Sequence, residues 1–125
     1  MNRSGYAARC LQERHGFAPA DLLVVFDEVN LPLGRLRLRR GGSPGGHRGL
    51  ESIVESLRTD EVPRLRLGVA PEAGPPTGED LVDFVLAPFA PAETATVDEM
   101  IARAADACEA WLTQGIEAAM NAFNR

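Results

Sequence analysis

The segment Arg35–Arg39 alternates arginine and leucine without a break. Because successive side chains of a β-strand point to opposite faces, this pattern predicts a strand with Leu36 and Leu38 inward and the arginines outward. Residues 64–69 repeat the alternation, with an apolar side chain at every second position. The chain must therefore form a sheet that packs at least one face on a core.

Helical and extended patterns flank these two strands. The first half of the chain predicts a helix over 1–16, a strand over 22–26 covered on both faces, a turn over 30–34, the strand 35–39 and a loop over 41–49. An amphipathic helix from Leu50 and the strand 64–69 follow, and then a short apolar segment over 81–86 that is a strand or the approach to one. The last predicted elements are a long helix from about Val97, which Gly115 breaks, and a short helix after it. That order predicts an α/β layer structure with a mixed sheet. Three strands are few, since sheets average about five or six.

Length and composition indicate one globular domain over residues 1–125. Apolar residues make up 45% and charged residues 25% of the chain, which is ordinary for a domain with a core. No apolar run is long enough to cross a bilayer, and the first six residues lack the apolar core of a signal peptide. We expect a soluble, cytoplasmic protein. Cys10 and Cys108 show no metal-ligand spacing, so we expect two buried, reduced thiols and no metal.

Charge is distributed unevenly along the chain. The net charge is −5 and all 13 basic residues are arginine. Residues 29–50 contain five arginines and no acid, whereas residues 72–117 contain ten acids and one arginine. This asymmetry predicts one basic face of the kind that contacts phosphate. A solvated strand edge, on which charge blocks aggregation, explains the arginines equally well.

Two segments could carry chemistry. Asp27 and Glu28 follow the predicted strand 22–26, and ligands of open α/β sheets bind beyond the carboxyl ends of strands. A carboxylate there can orient a histidine, although an aspartate that caps a turn is as good an explanation. The loop 41–49 is rich in glycine and leads into a helix whose first amides are unpaired, which makes an anion site. His47 could donate a hydrogen bond to a carbonyl or phosphate; the alternative is a flexible turn in which His47 starts the helix.

Four motifs resemble those of a known family. They are Met1–Gly5 (M-N-R-S-G), Phe26–Pro32 (F-D-E-V-N-L-P), Gly45–Leu50 (G-G-H-R-G-L) and Arg64–Val69 (R-L-R-L-G-V). In this order and at this spacing the chain resembles the C-terminal two-thirds of bacterial-type peptidyl-tRNA hydrolases. Several linked motifs in register are far more specific than a single glycine loop.

The resemblance implies a monomeric, three-layer α/β domain with a mixed twisted sheet that hydrolyses the ester between a peptide and the 3′ end of tRNA, without metal or cofactor. It gives Asp27 the role of orienting a histidine that acts as general base. It assigns substrate contacts near the ester and the CCA end to Asn2, Gly45, Gly46, His47 and Arg48. It assigns contacts with tRNA phosphates, which position a substrate without reading its sequence, to Arg37, Arg39, Arg40, Arg64 and Arg66.

Two departures from the family pattern matter. The family's catalytic histidine lies before the M-N-x-S-G motif, after a first strand, and neither His15 nor His47 matches it. We therefore expect a chain that is truncated at its N-terminus and inactive alone. Arg48 stands where the family has asparagine, and arginine is a cation with donors only. Three hypotheses follow: a peptidyl-tRNA hydrolase, which we favour; an RNA-binding module of the same fold that has lost hydrolysis; and a remnant without a stable core.

Overall fold

The structure, a computed structural model, describes residues 3–124. Its helices and strands are, in chain order, α1 (Ser4–His15), β1 (Val24–Pro32), β2 (Leu36–Arg39), α2 (Arg48–Leu57), β3 (Arg64–Ala70), α3 (Glu79–Leu86), α4 (Thr94–Gln114) and α5 (Ile116–Phe123). Single turns of 3₁₀-helix cover Pro19–Asp21 and Pro91–Glu93. The strands form a mixed three-stranded sheet in the order β1–β3–β2, which confirms the predicted α/β fold.

The chain divides into two compact units, Met1–Val24 with Arg39–Arg64 and Val25–Leu38 with Leu65–Arg125. The first unit is built on α1 and α2. Its apolar core is formed by three buried residues and three partly buried ones packed against them: Ala8, Ile53, Val62, Leu22, Val24 and Leu57. The apolar stripe predicted to begin at Leu50 is thus the buried face of α2.

Gly5 lies where α1 meets α2. A Cβ built at Gly5 would overlap the carbonyl oxygen of Ser52, so only glycine lets the two helix backbones come this close. The Gly5 amide also donates to Ser52 Oγ at 3.0 Å. At its other end α1 stops as predicted at Gly16, whose φ of 69° is left-handed.

The second unit contains most of the sheet and the three C-terminal helices. In β2 the side chains of Leu36 and Leu38 are buried and the arginines are partly exposed, which confirms the predicted alternation. β3 is the central strand, and it is buried along most of its length rather than on one face only. Arg64 and Gly68, which the alternation places on the face opposite the apolar residues, are buried as well.

β1 differs from the strand predicted over residues 22–26. It begins at Val24 and continues to Pro32, so the predicted turn over 30–34 shrinks to Leu33 and Gly34. Val25 is 45% exposed whereas Phe26 is buried. The prediction that this strand is covered on both faces is therefore wrong for the described chain: the side chains alternate between a buried and a more exposed face.

α3 replaces the strand-like segment predicted over residues 81–86. Glu79 and Asp80 lie in its first turn, where carboxylates stabilise the positive end of the helix dipole. Leu81 and Phe84, three residues apart, are partly buried, whereas Val85 is exposed. That spacing is helical, and a segment of eight residues is too short for periodicity to separate helix from strand reliably.

The long apolar stripe near the C-terminus forms α4. Its buried residues recur every three or four positions from Val97 to Ala107, whereas Ile101 and Leu112 of the same apolar stripe are exposed. The helix begins at Thr94, because the turn that starts at Pro91 runs directly into it. Gly115, with a φ of 92°, separates α4 from α5 as predicted. Although α4 has 21 residues, neither it nor another helix within residues 3–124 is apolar enough to cross a membrane.

Asn124, the last residue described, pairs with the edge strand β2. Its side-chain Oδ1 accepts from the Leu38 N–H at 2.6 Å, and its Nδ2 donates to the Leu38 carbonyl at 2.8 Å. One amide side chain thus offers β2 the donor and acceptor that a neighbouring strand would offer.

The prediction that both cysteines are buried is wrong. Cys10 is exposed on α1 and Cys108 is partly buried on α4; both are free. Burial raises the pKa of the Cys108 thiol, because a low-dielectric environment disfavours the thiolate.

Candidate active site

Asp27 lies in the middle of β1, not beyond its end as predicted. It is exposed, while its neighbours Phe26 and Glu28 are buried on the opposite face of the strand. The strand therefore holds the Asp27 carboxylate on a rigid element and directs it to the more exposed face. A carboxylate in this setting can orient a histidine without being desolvated itself.

Glu28 is buried beside Asp27, with 5% of its surface exposed, and pairs with Arg66 on the neighbouring strand β3. Arg66 donates to Glu28 Oε1 from Nη2 at 2.6 Å and from Nε at 2.9 Å. The Asn30 backbone and side-chain nitrogens lie 3.4 and 3.5 Å from Glu28 Oε2. The ion pair neutralises a carboxylate that would otherwise be costly to bury. It also commits two nitrogens of Arg66, so a phosphate contact at Arg66, which stays a prediction, would compete with Glu28.

Arg64 is the largest correction to the predicted site. It is 3% exposed, and its guanidinium donates to three backbone carbonyls: Val62 at 3.1 Å from Nε, Ser43 at 3.1 Å from Nη1 and Asp60 at 2.9 Å from Nη2. A guanidinium that is buried and bonded to carbonyls is not available to a phosphate. The prediction of a tRNA phosphate contact at Arg64 is therefore wrong, and the side chain is part of the loop's support.

The glycine-rich loop has the backbone geometry that its sequence suggested. Gly42, Gly45 and Gly46 have φ values of 120°, 62° and 85°, which residues with a Cβ rarely adopt. The His47 N–H donates to the Pro44 carbonyl at 3.2 Å, which closes a turn over Gly45 and Gly46. The two glycines predicted to contact substrate are thus the exposed tip of the loop.

His47 is the N-cap of α2. Its Nδ1 accepts from the Leu50 N–H at 3.1 Å, which pairs one of the free amides of the first turn. The interpretation of His47 as the residue that starts the helix is confirmed. An accepting Nδ1 assigns the proton of the neutral ring to Nε2.

A cleft of about 440 Å³ lies beside the loop tip. It is lined by Gly46 and by residues on one face of α2: Arg48, Glu51, Ser52 and Glu55. Arg48 is the first residue of α2 and is exposed. Its positive charge adds to the positive end of the α2 dipole, whereas Glu51 and Glu55 oppose it one and two turns further on.

Of the three other predicted phosphate contacts, Arg37 and Arg39 point to the same face of β2, and Arg40 follows the strand and is exposed. β2 is an edge strand, which is also where the edge-protection explanation requires charge. The fold therefore accommodates both explanations of the arginines.

Each compact unit brings two of the four motifs together. In the first unit, Ser4 of the M-N-R-S-G motif lies near Gly49 of the G-G-H-R-G-L motif: a Cβ on Gly49 would lie 3.8 Å from Ser4 Oγ. In the second unit, F-D-E-V-N-L-P meets R-L-R-L-G-V through the pair of Glu28 with Arg66. Asn2, predicted to contact substrate, lies outside the described residues. Within residues 3–124 no group of three or more histidine, cysteine or acidic side chains could hold a metal ion.

A mixed three-stranded sheet with helices before, between and after its strands defines an α/β protein. The profile of the Peptidyl-tRNA hydrolase family matches residues 1–125, and the chain belongs to that family.

Relatives and solved structures agree with this assignment. A peptidyl-tRNA hydrolase of Synechococcus sp. (strain JA-3-3Ab) is 49% identical over 125 residues, covering 99% of this chain and 54% of the relative. One from Methylacidiphilum infernorum (isolate V4) is 48% identical over 121 residues, covering 97% of this chain and 63% of the relative. The crystal structure of peptidyl-tRNA hydrolase from Acinetobacter baumannii matches with a TM-score of 0.88 at 31% identity, over 99% of this chain and 61% of that one. The chain therefore spans less than two-thirds of the length of these proteins.

Proposed function

We propose that this chain provides the aspartate and glycine-loop parts of a peptidyl-tRNA hydrolase, which cleaves the ester between a peptide and the 3′ end of tRNA and thereby recycles tRNA in the cytoplasm. One observation carries the proposal: the family match extends over residues 1–125, with Asp27 and Gly45–Arg48 at motif positions. The names of the family and of its members indicate the substrate, peptidyl-tRNA. Asp27 offers a carboxylate that can orient a general base, and the loop offers backbone groups that can contact the substrate.

The proposed chemistry is attack of water on the ester carbonyl. Asp27 orients a histidine, which removes a proton from the water and returns it to the leaving 3′ oxygen of tRNA. Neither histidine of this chain fits that role by motif, and His47 is engaged at Nδ1 as a helix cap. Arg48, with donors only, suits an anion: the developing oxyanion or a phosphate of the CCA end.

The tRNA backbone is proposed to lie against the arginines of β2 and its continuation, Arg37, Arg39 and Arg40. Phosphates are recognised by charge and by hydrogen bonds from guanidinium, irrespective of sequence. We propose, as the family resemblance implies, that the complete enzyme uses neither metal nor cofactor and acts as a monomer.

Hydrolysis of a defined substrate tests the proposal. Purified chain is incubated with N-acetyl-aminoacyl-tRNA and ester cleavage is followed by acid precipitation. Because neither histidine matches the general base, we expect no enzymatic turnover by the 125-residue chain alone, but we expect binding. Turnover that Asp27→Ala abolishes would refute the expected inactivity and support the role of Asp27. Turnover that survives Asp27→Ala would refute that role.

A second candidate function is RNA binding without hydrolysis, favoured by Arg48 in place of asparagine. The candidates separate in a chimaera that joins the N-terminal segment of the Synechococcus relative to this chain. Hydrolysis by the chimaera, lost with Asp27→Ala, supports the enzyme. Tight RNA binding without hydrolysis supports the binding module.

The basic strand is tested separately. Replacing Arg37, Arg39 and Arg40 with alanine is expected to weaken RNA binding and to reduce the slope of log affinity against log salt by about 2–3, since each phosphate contact contributes about 0.7–0.9. A control variant removes three arginines outside the predicted contacts: Arg9, Arg14 and Arg103. If both variants lose affinity and slope equally, the loss reflects net charge and the proposed contacts at Arg37, Arg39 and Arg40 are refuted.

A further inference from the structure

The glycine loop 41–49 poses a physical problem that its own sequence does not solve. Glycine loses more backbone freedom on ordering than other residues, so a loop that contains five of them is costly to hold in one conformation. A binding loop must nevertheless be ordered in advance, because an ordering cost paid on binding lowers affinity. Some contact outside the loop has to fix it.

We propose that Arg64 is the positioning residue of this loop: a buried guanidinium that fixes the start of the loop, so that Gly45 and Gly46 are presented to substrate. The proposal rests on the proposed function, because it takes the loop tip to be the substrate-binding part. It replaces the phosphate contact predicted for Arg64 with a role inside the protein.

The bonds of Arg64 reach across the base of the loop. Nη1 donates to the Ser43 carbonyl in the loop, while Nη2 and Nε donate to the carbonyls of Asp60 and Val62 in the segment that leads into β3. One rigid, planar group therefore ties the loop to a neighbouring segment. A lysine ammonium is a point charge on a flexible stem and cannot reproduce three bonds from one plane.

The Asp60 carbonyl is a shared attachment point. It accepts from Arg64 Nη2 at 2.9 Å and from the Gly42 N–H at 3.0 Å. A Cβ on Gly41 would lie 2.8 Å from the same oxygen, so this part of the loop packs directly on the Asp60 backbone. The first three residues of the loop are therefore held by backbone contact and by the guanidinium together.

The far end of the loop is held by a different device. His47 caps α2 through Leu50, and the His47 N–H closes the turn to Pro44. Between the two fixed ends only the short turn with Gly45 and Gly46 projects, and it forms part of the wall of the 440 Å³ cleft. The loop thus behaves as a two-glycine tip between two supports, Arg64 and His47, which share no atom and can be removed independently.

The test uses Arg64→Lys in the full chain, with two readouts. The first is the hydrogen-exchange rate of the Gly45 and Gly46 amides by NMR. The second is affinity for an acceptor-stem RNA duplex with and without its single-stranded CCA end. We expect amide exchange at the tip to accelerate at least about tenfold, and the gain in affinity that the CCA end provides to fall by about the same factor. Binding of the blunt duplex is expected to stay within about twofold, since phosphate contacts elsewhere are untouched.

Ala8→Gly is the matched control. Ala8 is buried in the core of the same unit, so its replacement lowers stability without touching the loop. If Ala8→Gly reduces the CCA-dependent gain as much as Arg64→Lys at equal stability, the effect is general destabilisation and the proposal is overturned. It is also overturned if tip exchange in folded Arg64→Lys equals that of wild type.

Failure of the proposed function gives a different result. In that case wild type shows no gain in affinity from the CCA end, while tip exchange still rises in Arg64→Lys. If Arg64→Lys does not fold, the proposal is tested by the NMR signals of the Arg64 side chain in the wild-type protein. The three bonds require the Arg64 Nε proton and the two Nη groups to give separate, slowly exchanging side-chain NMR signals, unlike those of the exposed Arg14. A rapidly exchanging Arg64 guanidinium refutes the proposal.

Discussion

Replacing Glu28 with glutamine removes one charge from the pair that joins β1 to β3 while keeping the shape of the side chain. Arg66 then keeps its full charge but faces a neutral amide, whose nitrogen is also a donor and repels the guanidinium. Since Glu28 is almost fully buried, water cannot replace the lost carboxylate at its own position.

The size of the effect follows from the exposure of the two side chains. Breaking a fully buried ion pair by altering one partner costs about 3–5 kcal/mol. Here the Arg66 side chain is 29% exposed and that of Glu28 is 7% exposed, so solvent can compensate only the arginine, and only in part. We therefore expect Glu28→Gln to lower the free energy of unfolding by about 2–3 kcal/mol, a large share of the roughly 5–15 kcal/mol of a typical domain.

Urea unfolding followed by tryptophan fluorescence measures the change. Trp111, the single tryptophan, belongs to the same compact unit as Glu28, so it reports the part of the chain that the substitution affects. A double-mutant cycle with Arg66→Gln separates the pair from its surroundings. The reasoning requires the double variant to be less destabilised than the sum of the single variants, by about 1–2 kcal/mol. A coupling below about 0.5 kcal/mol would mean that the short contact contributes little to stability.

Two further predictions concern α1 and the cysteines. Gly5→Ala is expected to destabilise the first unit by about 2–3 kcal/mol, since the added methyl overlaps the Ser52 carbonyl and the helices must separate; a melting curve equal to that of wild type contradicts this packing. Cys10 is expected to be alkylated by iodoacetamide well before Cys108 near pH 8, because Cys10 is exposed while burial raises the pKa of the Cys108 thiol and reduces its thiolate fraction; peptide mass spectrometry that finds equal rates refutes the difference.

The strands and helices that the sequence specified best are those whose pattern is long or strict. The alternation in β2 predicts one buried face, and β2 has it. The apolar stripe predicts that α4 is a helix, although Ile101 and Leu112 of that stripe are exposed. The extent of β1 was underestimated because Glu28 looks like a residue that ends a buried strand. Only its partner 38 positions later makes it acceptable inside, and pairing across strands is invisible to a local pattern.

In the candidate site too, features of contiguous sequence could be predicted, whereas contacts between distant residues could not. Asp27 and the loop residues were predicted as site residues because their motifs are contiguous, and the loop has the positive φ angles that its glycines indicated. Arg64 was assigned to solvent because arginine usually lies there. Its acceptors are backbone carbonyls, which carry no sequence signal, so only the folded chain shows that they converge on one guanidinium.

Asn124, which pairs with the outer edge of β2, is also a residue whose slow chemical change would alter that edge. Spontaneous deamidation would convert its amide to a carboxylate, which replaces the donor that faces the Leu38 carbonyl with a second oxygen. The two oxygens would repel, the side chain would leave β2, and the unpaired outer edge of β2 could then template association with another molecule. Deamidation of this one residue would thus appear as slow association of the protein during storage, faster at alkaline pH, and Asn124→Gln would not reproduce the short pairing that Asn124 makes.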